Sequence, residues 1–98
     1  MNDGLFVGQM NFVLGRVYHL KQQYDTSIFH HEKHLNLAQQ FQDLKGQSRA
    51  HLVLSQLYDK VNQHDKAKRS LTLYKALVKE VREKEIVLSD WWWLLYVI

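Results

Sequence analysis

Three neighbouring histidines, His30, His31 and His34, are the residues whose type and spacing best suit chemistry. His30 and His34 are four positions apart, so both imidazoles would lie on one face of a helix and could chelate zinc. The run is not a His-Glu-x-x-His metalloprotease motif, because Leu35 stands where the second histidine is needed, and no third ligand is evident nearby. His31 and His34 also occupy positions suited to helix packing. We therefore interpret these residues as packed or surface histidines and expect no metal and no cofactor.

Other reactive side chains form no catalytic pattern. The chain has no cysteine, which excludes disulfides, thiol catalysis and zinc sites built on sulfur. The tyrosines, serines and aspartates lack a recognisable nucleophile–base spacing. The four glycines match neither a Walker loop nor a dinucleotide-binding loop. We expect that the protein is not an enzyme.

Basic side chains concentrate in the second half of a chain whose net charge is +3. Lys68, Lys75 and Lys79 would share one side of a helix, which would suit an acidic partner, RNA or anionic lipid. Aromatic residues do not interleave regularly with them, as a base-stacking platform requires. We favour an ordinary solvated face and keep weak nucleic-acid or anionic-lipid binding as an alternative.

Length and composition predict the elements that carry these residues. Ninety-eight residues form one domain, and the absence of proline with only four glycines favours helices over short strands. The start lacks the features of a secretory signal, and no apolar run approaches the length of a membrane span. We expect an all-α, cytoplasmic protein.

The chain repeats itself at an offset of forty residues. Residues 13–18 align with 53–58, and residues 23–27 align with 63–67, without a gap. A further step of forty residues aligns Leu94 with Leu14 and Leu54. We predict repeat one at about 5–44, repeat two at about 45–85, and a partial third repeat or capping helix at about 86–98.

Each unit is predicted to contain two helices. In the first helix, one face is formed by residues that recur at spacings of three and four: Phe6, Met10, Val13, Leu14, Val17 and Tyr18. A second helix begins at about Tyr24 and ends at a break formed by Asp43, Lys45 and Gly46. A turn is predicted at 61–63, and Ser89 or Asp90 is expected to cap a separate fifth helix.

Small residues mark places where helices approach closely. Gly15 and Ser55 occupy one such place, forty residues apart, and Ser27 and Ala67 occupy another. A glycine inside a helix costs about 1 kcal/mol relative to alanine, so Gly15 indicates close packing on a partner helix.

This helix–turn–helix pattern resembles the tetratricopeptide repeat. The residues that carry the resemblance, and that the family uses for packing between helices, are Leu14, Gly15, Tyr18, Tyr24 and Ser27, then Leu54, Ser55, Tyr58 and Ala67. The period of forty, together with residues 31–40 and 46–50, is similar to the longer repeat of the Pins/LGN group of G-protein-signalling modulators. Trp91 resembles the opening of a third unit.

The resemblance implies a right-handed helical solenoid made of two antiparallel helical hairpins plus a C-terminal helix. It also implies a protein–protein interaction scaffold or adaptor that binds a peptide on its concave face. The implied groove residues are Gln9, Phe12, Arg16 and His19 from unit one, and Arg49, Leu52, Gln56, Asp59 and Lys60 from unit two. Because Arg16, Arg49 and Lys60 could contact carboxylates, we expect an acidic peptide.

The aromatic cluster Trp91, Trp92 and Trp93 would surround a helix, so one copy cannot bury all three rings easily. It predicts either an oligomer contact or an end buried by further chain. Self-association through this end is therefore an alternative function. Repeat arrays usually need about three units, so we expect two and a third units to be marginally stable alone. We expect the chain to be a fragment, a short isoform or a gene-model product of a longer array.

Overall fold

Four consecutive helices make up the fold. The computed structural model describes the backbone of residues 3–97 and the side chains of residues 3–84. The helices are α1 (Asp3–Leu20), α2 (Tyr24–Gln40), α3 (Leu44–Lys60) and α4 (His64–Val97), and each packs against the next along the chain. The predicted all-α class is confirmed. Within residues 3–97, none of the helices combines the length and apolarity that a membrane crossing requires.

Three turns of the same design connect the helices. Gln22, Gln42 and Asn62 adopt left-handed φ angles of 60°, 56° and 64°. After each of them, the next backbone N–H donates to the carbonyl five residues earlier, as in the bond from Gln23 to Tyr18 at 2.9 Å. This is the Schellman arrangement, which satisfies the free carbonyls at the end of a helix. The predicted turn at 61–63 is confirmed.

The break predicted at Asp43, Lys45 and Gly46 lies slightly earlier in the structure. The turn occupies residues 41–43, and Asp43 caps α3 by accepting a hydrogen bond from the Gly46 N–H at 3.0 Å. Lys45 and Gly46 are therefore helical. Gly46 suits the first turn of α3 because a Cβ there would collide with the Asp43 carboxylate.

The predicted separate C-terminal helix is wrong, because α4 continues without interruption to Val97. Neither Ser89 nor Asp90 begins a helix. No proline or glycine interrupts the sequence of α4. Lys84 and Glu80 lie one helical turn apart, with their charged atoms at 3.7 Å, which favours continuation of the helix.

The apolar core lies where α2, α3 and α4 meet. It consists of Ile28, Leu54, Leu57, Tyr58 and Ala67. Tyr24, Leu35, Val53 and Val61 pack around its edge. These residues hold α3 between its two neighbours and thereby fix the positions of the groove residues on α3.

The helix α1 packs on α2 through its small and polar side. Gly8, Asn11 and Gly15 are buried there, and a Cβ on Gly15 would lie 2.5 Å from the imidazole of His31. The apolar stripe predicted for α1 does not face α2, since Tyr18 is its only half-buried member. The apolar face of α1 is exposed and comprises Phe6, Val7, Met10, Val13, Leu14 and Val17.

Candidate functional site

A groove runs between α1 and α3, two helices that do not follow each other in the chain. We call it the α1–α3 groove. It has a volume of about 360 Å³ and is lined by Phe12, Arg16, His19 and Leu20 from α1, and by Val53 and Gln56 from α3. The lining contains one permanent positive charge, on Arg16, and no carboxylate. An anionic group entering this groove would therefore meet a guanidinium without a competing acidic neighbour.

Phe12 is the aromatic floor of the α1–α3 groove. Its ring makes edge contacts with the buried rings of His31 and His34, at centroid distances of 5.1 and 5.2 Å. The guanidinium of Arg49 lies 5.6 Å from the centroid of the same ring, close enough for a cation–π contact. This contact places a second positive charge, from α3, beside the groove that holds Arg16.

A larger groove lies between α3 and the first part of α4. We call it the α3–α4 groove. It has a volume of about 640 Å³ and is lined by Leu52, Ser55, Gln56, Asp59, His64, Ala67, Lys68 and Leu71. Asp59 Oδ1 lies 2.9 Å from His64 Nδ1 on its exposed rim. Gln56 belongs to both grooves, so the two form neighbouring parts of one surface.

The two grooves bring together six of the nine predicted groove residues. These six are Phe12, Arg16, His19, Leu52, Gln56 and Asp59. Gln9 is exposed on α1 but lines neither groove. Lys60 lies elsewhere, with its ammonium 5.9 Å from the centroid of the Tyr24 ring at the start of α2. Of the predicted cations, Arg16 therefore lines the α1–α3 groove and Arg49 lies beside it, in contact with the Phe12 ring.

Seven lining residues were not among the groove positions carried over from the repeat pattern. They are Leu20 and Val53 in the α1–α3 groove, and Ser55, His64, Ala67, Lys68 and Leu71 in the α3–α4 groove. For Leu20 and Val53 the available signal was a position one helical turn from a predicted residue, since Leu20 follows Arg16 by four and Val53 precedes Gln56 by three.

Most of the predicted repeat-packing residues lie inside. The buried ones are Gly15, Ser27, Leu54, Ser55, Tyr58 and Ala67, and the half-buried ones are Tyr18 and Tyr24. Ser27 Oγ donates a 2.6 Å hydrogen bond to the Gly15 carbonyl, which joins the two predicted close-approach positions of the first unit. Leu14 is the exception, since it is 38% exposed on the apolar face of α1.

The histidines of α2 pack against α1. His30 stacks on Tyr18 at a centroid distance of 5.5 Å, and its Nδ1 lies 2.9 Å from Asn11 Oδ1. The Asn11 amide nitrogen donates to the Val7 carbonyl, so its oxygen is left to accept from His30. His31 and His34 are buried. In the part of the chain that the structure describes, no three histidine, cysteine or acidic side chains are grouped to hold a metal.

Burial controls the protonation of these histidines. Desolvation, followed by the nearby charges of His34, His19, His30 and Arg16, lowers the pKa of His31 to about 4. Burial also lowers the pKa of His34, against a weaker opposing effect of Asp43, and burial lowers the pKa of His51. His31 is therefore neutral at pH 7 and acts as a flat, polarisable packing group beside Phe12.

The remaining predicted sites are not brought together with the grooves, apart from one residue. Lys68, Lys75 and Lys79 are exposed on α4, and Lys68 alone lines the α3–α4 groove. The tryptophan cluster Trp91, Trp92 and Trp93 lies outside the residues whose side chains the structure describes.

Comparisons with known proteins assign no family to this chain. Neither protein-family models nor curated protein sequences give a match.

Proposed function

We propose that this chain is a non-catalytic protein–protein interaction module that binds an acidic peptide segment in the α1–α3 groove. One observation carries the proposal. The groove places an aromatic floor, Phe12, beside two arginines, Arg16 and Arg49, and no carboxylate lines it. Arginine binds carboxylates in a bidentate manner, and an apolar floor adds contact area for a neighbouring side chain.

We further propose that the two hairpins are units of a right-handed, tetratricopeptide-like solenoid. The turns support this view, because left-handed residues recur every twenty positions, at Gln22, Gln42 and Asn62. The groove supports it as well, since it is formed by the first helix of each unit, α1 and α3. In such an arrangement, successive first helices would provide one continuous surface for an extended ligand.

A peptide selection on the full chain tests the proposed function. The probe is a displayed library of random peptides rich in aspartate, glutamate and aromatic residues, compared with a library in which lysine replaces the acidic residues. We expect enrichment from the acidic library alone. Affinity of the selected peptides should fall with rising salt, because both arginines are exposed.

Two double variants then locate the binding site. Arg16→Ala with Arg49→Ala should weaken a selected peptide about tenfold or more, since loss of a charged hydrogen-bonding partner costs about 1.5–3 kcal/mol. Lys33→Ala with Lys75→Ala removes the same charge from exposed positions outside both grooves and should leave the affinity nearly unchanged. Equal affinities in the two double variants would place the peptide elsewhere.

A further inference from the structure

The apolar face of α1 has no partner among the described residues. Its six side chains stay between 38% and 63% exposed, and they follow one another along most of the helix. A continuous apolar stripe of this kind marks an interaction site in a folded protein. Its chemistry requires an apolar partner, since none of the six side chains is polar.

The second unit shows what covers this face. Met10, Leu14 and Val17 are 46%, 38% and 41% exposed. Forty residues later, the corresponding positions of α3 are Ala50, Leu54 and Leu57, with exposed fractions of 0%, 1% and 0%. In α3 this face is buried because it packs on the first hairpin, where Leu54 and Leu57 join Ile28 in the core. The face that α3 buries is therefore the face that α1 leaves open.

The surface that receives α3 also has an open counterpart. Phe12 and Ile28 are two of the residues on which α3 packs. Arg49 of α3 lies over the Phe12 ring, and Ile28 belongs to the apolar core together with Leu54 and Leu57 of α3. Forty residues later stand Leu52 and Lys68, and both line the open α3–α4 groove. One chain thus carries an uncovered packing face at its first helix and an uncovered receiving groove at its second hairpin.

We propose that a second copy of this chain docks head-to-tail, with the apolar face of its α1 in the α3–α4 groove of the first. This contact between two chains has the same design as the packing of α3 on the first hairpin within one chain. Because the two surfaces differ, the contact does not close with two copies, and association continues into rings or open chains. The proposal does not rest on peptide binding, since Arg16 and Arg49 belong to neither docking surface and Gln56 is the one residue that lines both grooves.

Sedimentation velocity on the full chain over a concentration series tests this proposal. We expect the mean mass to rise with concentration. Val13→Glu changes the apolar face, and Leu71→Glu changes the groove. Both side chains are exposed in a single copy, at 52% and 38%, so each variant should keep its helical circular dichroism. Asn36→Glu introduces the same charge at an exposed position of α2 and is the matched control.

A mixing experiment identifies the head-to-tail geometry. Each variant alone should need at least a tenfold higher concentration to associate, because one of its two surfaces is blocked. An equimolar mixture should form a one-to-one complex that grows no further. The Val13→Glu variant keeps its groove intact, and this groove can bind the intact α1 face of the Leu71→Glu variant. The two surfaces that remain free in this complex are the two blocked ones. If either glutamate variant loses helicity, Val13→Asn and Leu71→Asn repeat the test without adding charge.

Three outcomes would overturn the proposal. The unmodified chain could stay monomeric throughout the concentration series. Leu71→Glu could still associate while Val13→Glu does not, which would mean that two α1 faces pair with each other. Both variants could associate like the Asn36→Glu control, which would place the contact elsewhere, for example at Trp91–Trp93.

Discussion

His31 should make the stability of this fold sensitive to mild acid. Its side chain is fully buried between α1 and α2, where Phe12 contacts its ring and neither of its nitrogens hydrogen-bonds to a described protein group. Protonation would place a positive charge among His19, His30, His34 and Arg16, without a carboxylate among the groups that shift its pKa. The folded protein therefore resists protonation at this position.

The magnitude follows from the pKa of His31, which falls from 6.5 to about 4 on folding. Between these values the unfolded chain binds more protons than the folded chain, so the free energy of unfolding decreases as the pH falls. The decrease begins near pH 6.5 and is complete below about pH 4. With 1.36 kcal/mol for each pH unit, the loss is about 2 kcal/mol between pH 7.5 and 5, and about 3 kcal/mol in full.

Urea denaturation at pH 7.5 and at pH 5 measures this loss. The informative variant is His31→Leu, because leucine does not titrate and already occupies the corresponding position 71 of the second unit. The variant should lose about 2 kcal/mol less than the unmodified chain between the two pH values. Asn36→Leu adds a leucine to the same helix without removing a histidine, so its pH dependence should match that of the unmodified chain. The same pH dependence in His31→Leu would refute the reasoning, since His34 and His51 would then account for the whole effect.

Three further substitutions test the packing, the turns and the docking surface. Gly15→Ala should lower the free energy of unfolding by up to about 2 kcal/mol, because overpacking against the His31 ring, 2.5 Å from the new Cβ, costs about 1–3 kcal/mol and the better helix propensity of alanine returns about 1 kcal/mol; a raised denaturation midpoint would contradict the close approach of α1 and α2. Gln22→Gly should raise the free energy of unfolding by about 0.5–1 kcal/mol, because glycine adopts φ 60° without strain; chemical denaturation measures the change, and destabilisation would contradict the left-handed turn. Lys68→Ile should tighten self-association about tenfold, since isoleucine at position 28 is part of the core and burying such a side chain contributes about 1.5–3 kcal/mol; an unchanged sedimentation profile would place the contact outside the α3–α4 groove.

Helices α1, α2 and α3, the start of α4 and two of the three turns could be predicted because apolar periodicity stops at polar residues, Gln22 and Gln23 in one turn and Asn62 and Gln63 in another. The turn before α3 was harder to place, because Gly46 has the residue type expected at the end of a helix. In the structure it serves the start of the next helix, where its missing Cβ leaves room for the Asp43 carboxylate. Residue type alone does not distinguish these two uses of glycine.

The groove residues could be predicted for the middle of α1 and α3 and less well for their ends. Phe12, Arg16 and Gln56 lie where the repeat pattern implies a groove. Lys60 is the last residue of α3, and its long side chain turns toward the Tyr24 ring at the neighbouring helix start. A cation at a helix end has several aromatic and backbone partners within reach, and the sequence does not rank them.

The exposure of the apolar face of α1 has a physical explanation that also supports the proposed association. Periodicity identifies which residues share a face, but it does not identify the element that covers the face. α3 lies between α2 and α4, so its apolar residues and its small residue Ser55 both find neighbours. α1 packs mainly on α2, and the close approach at Gly15 with the Ser27 hydrogen bond selects its small side for that contact. Its apolar face is then left over because, among the described helices, α1 has one neighbour fewer than α3. A second copy of the chain would supply the missing neighbour.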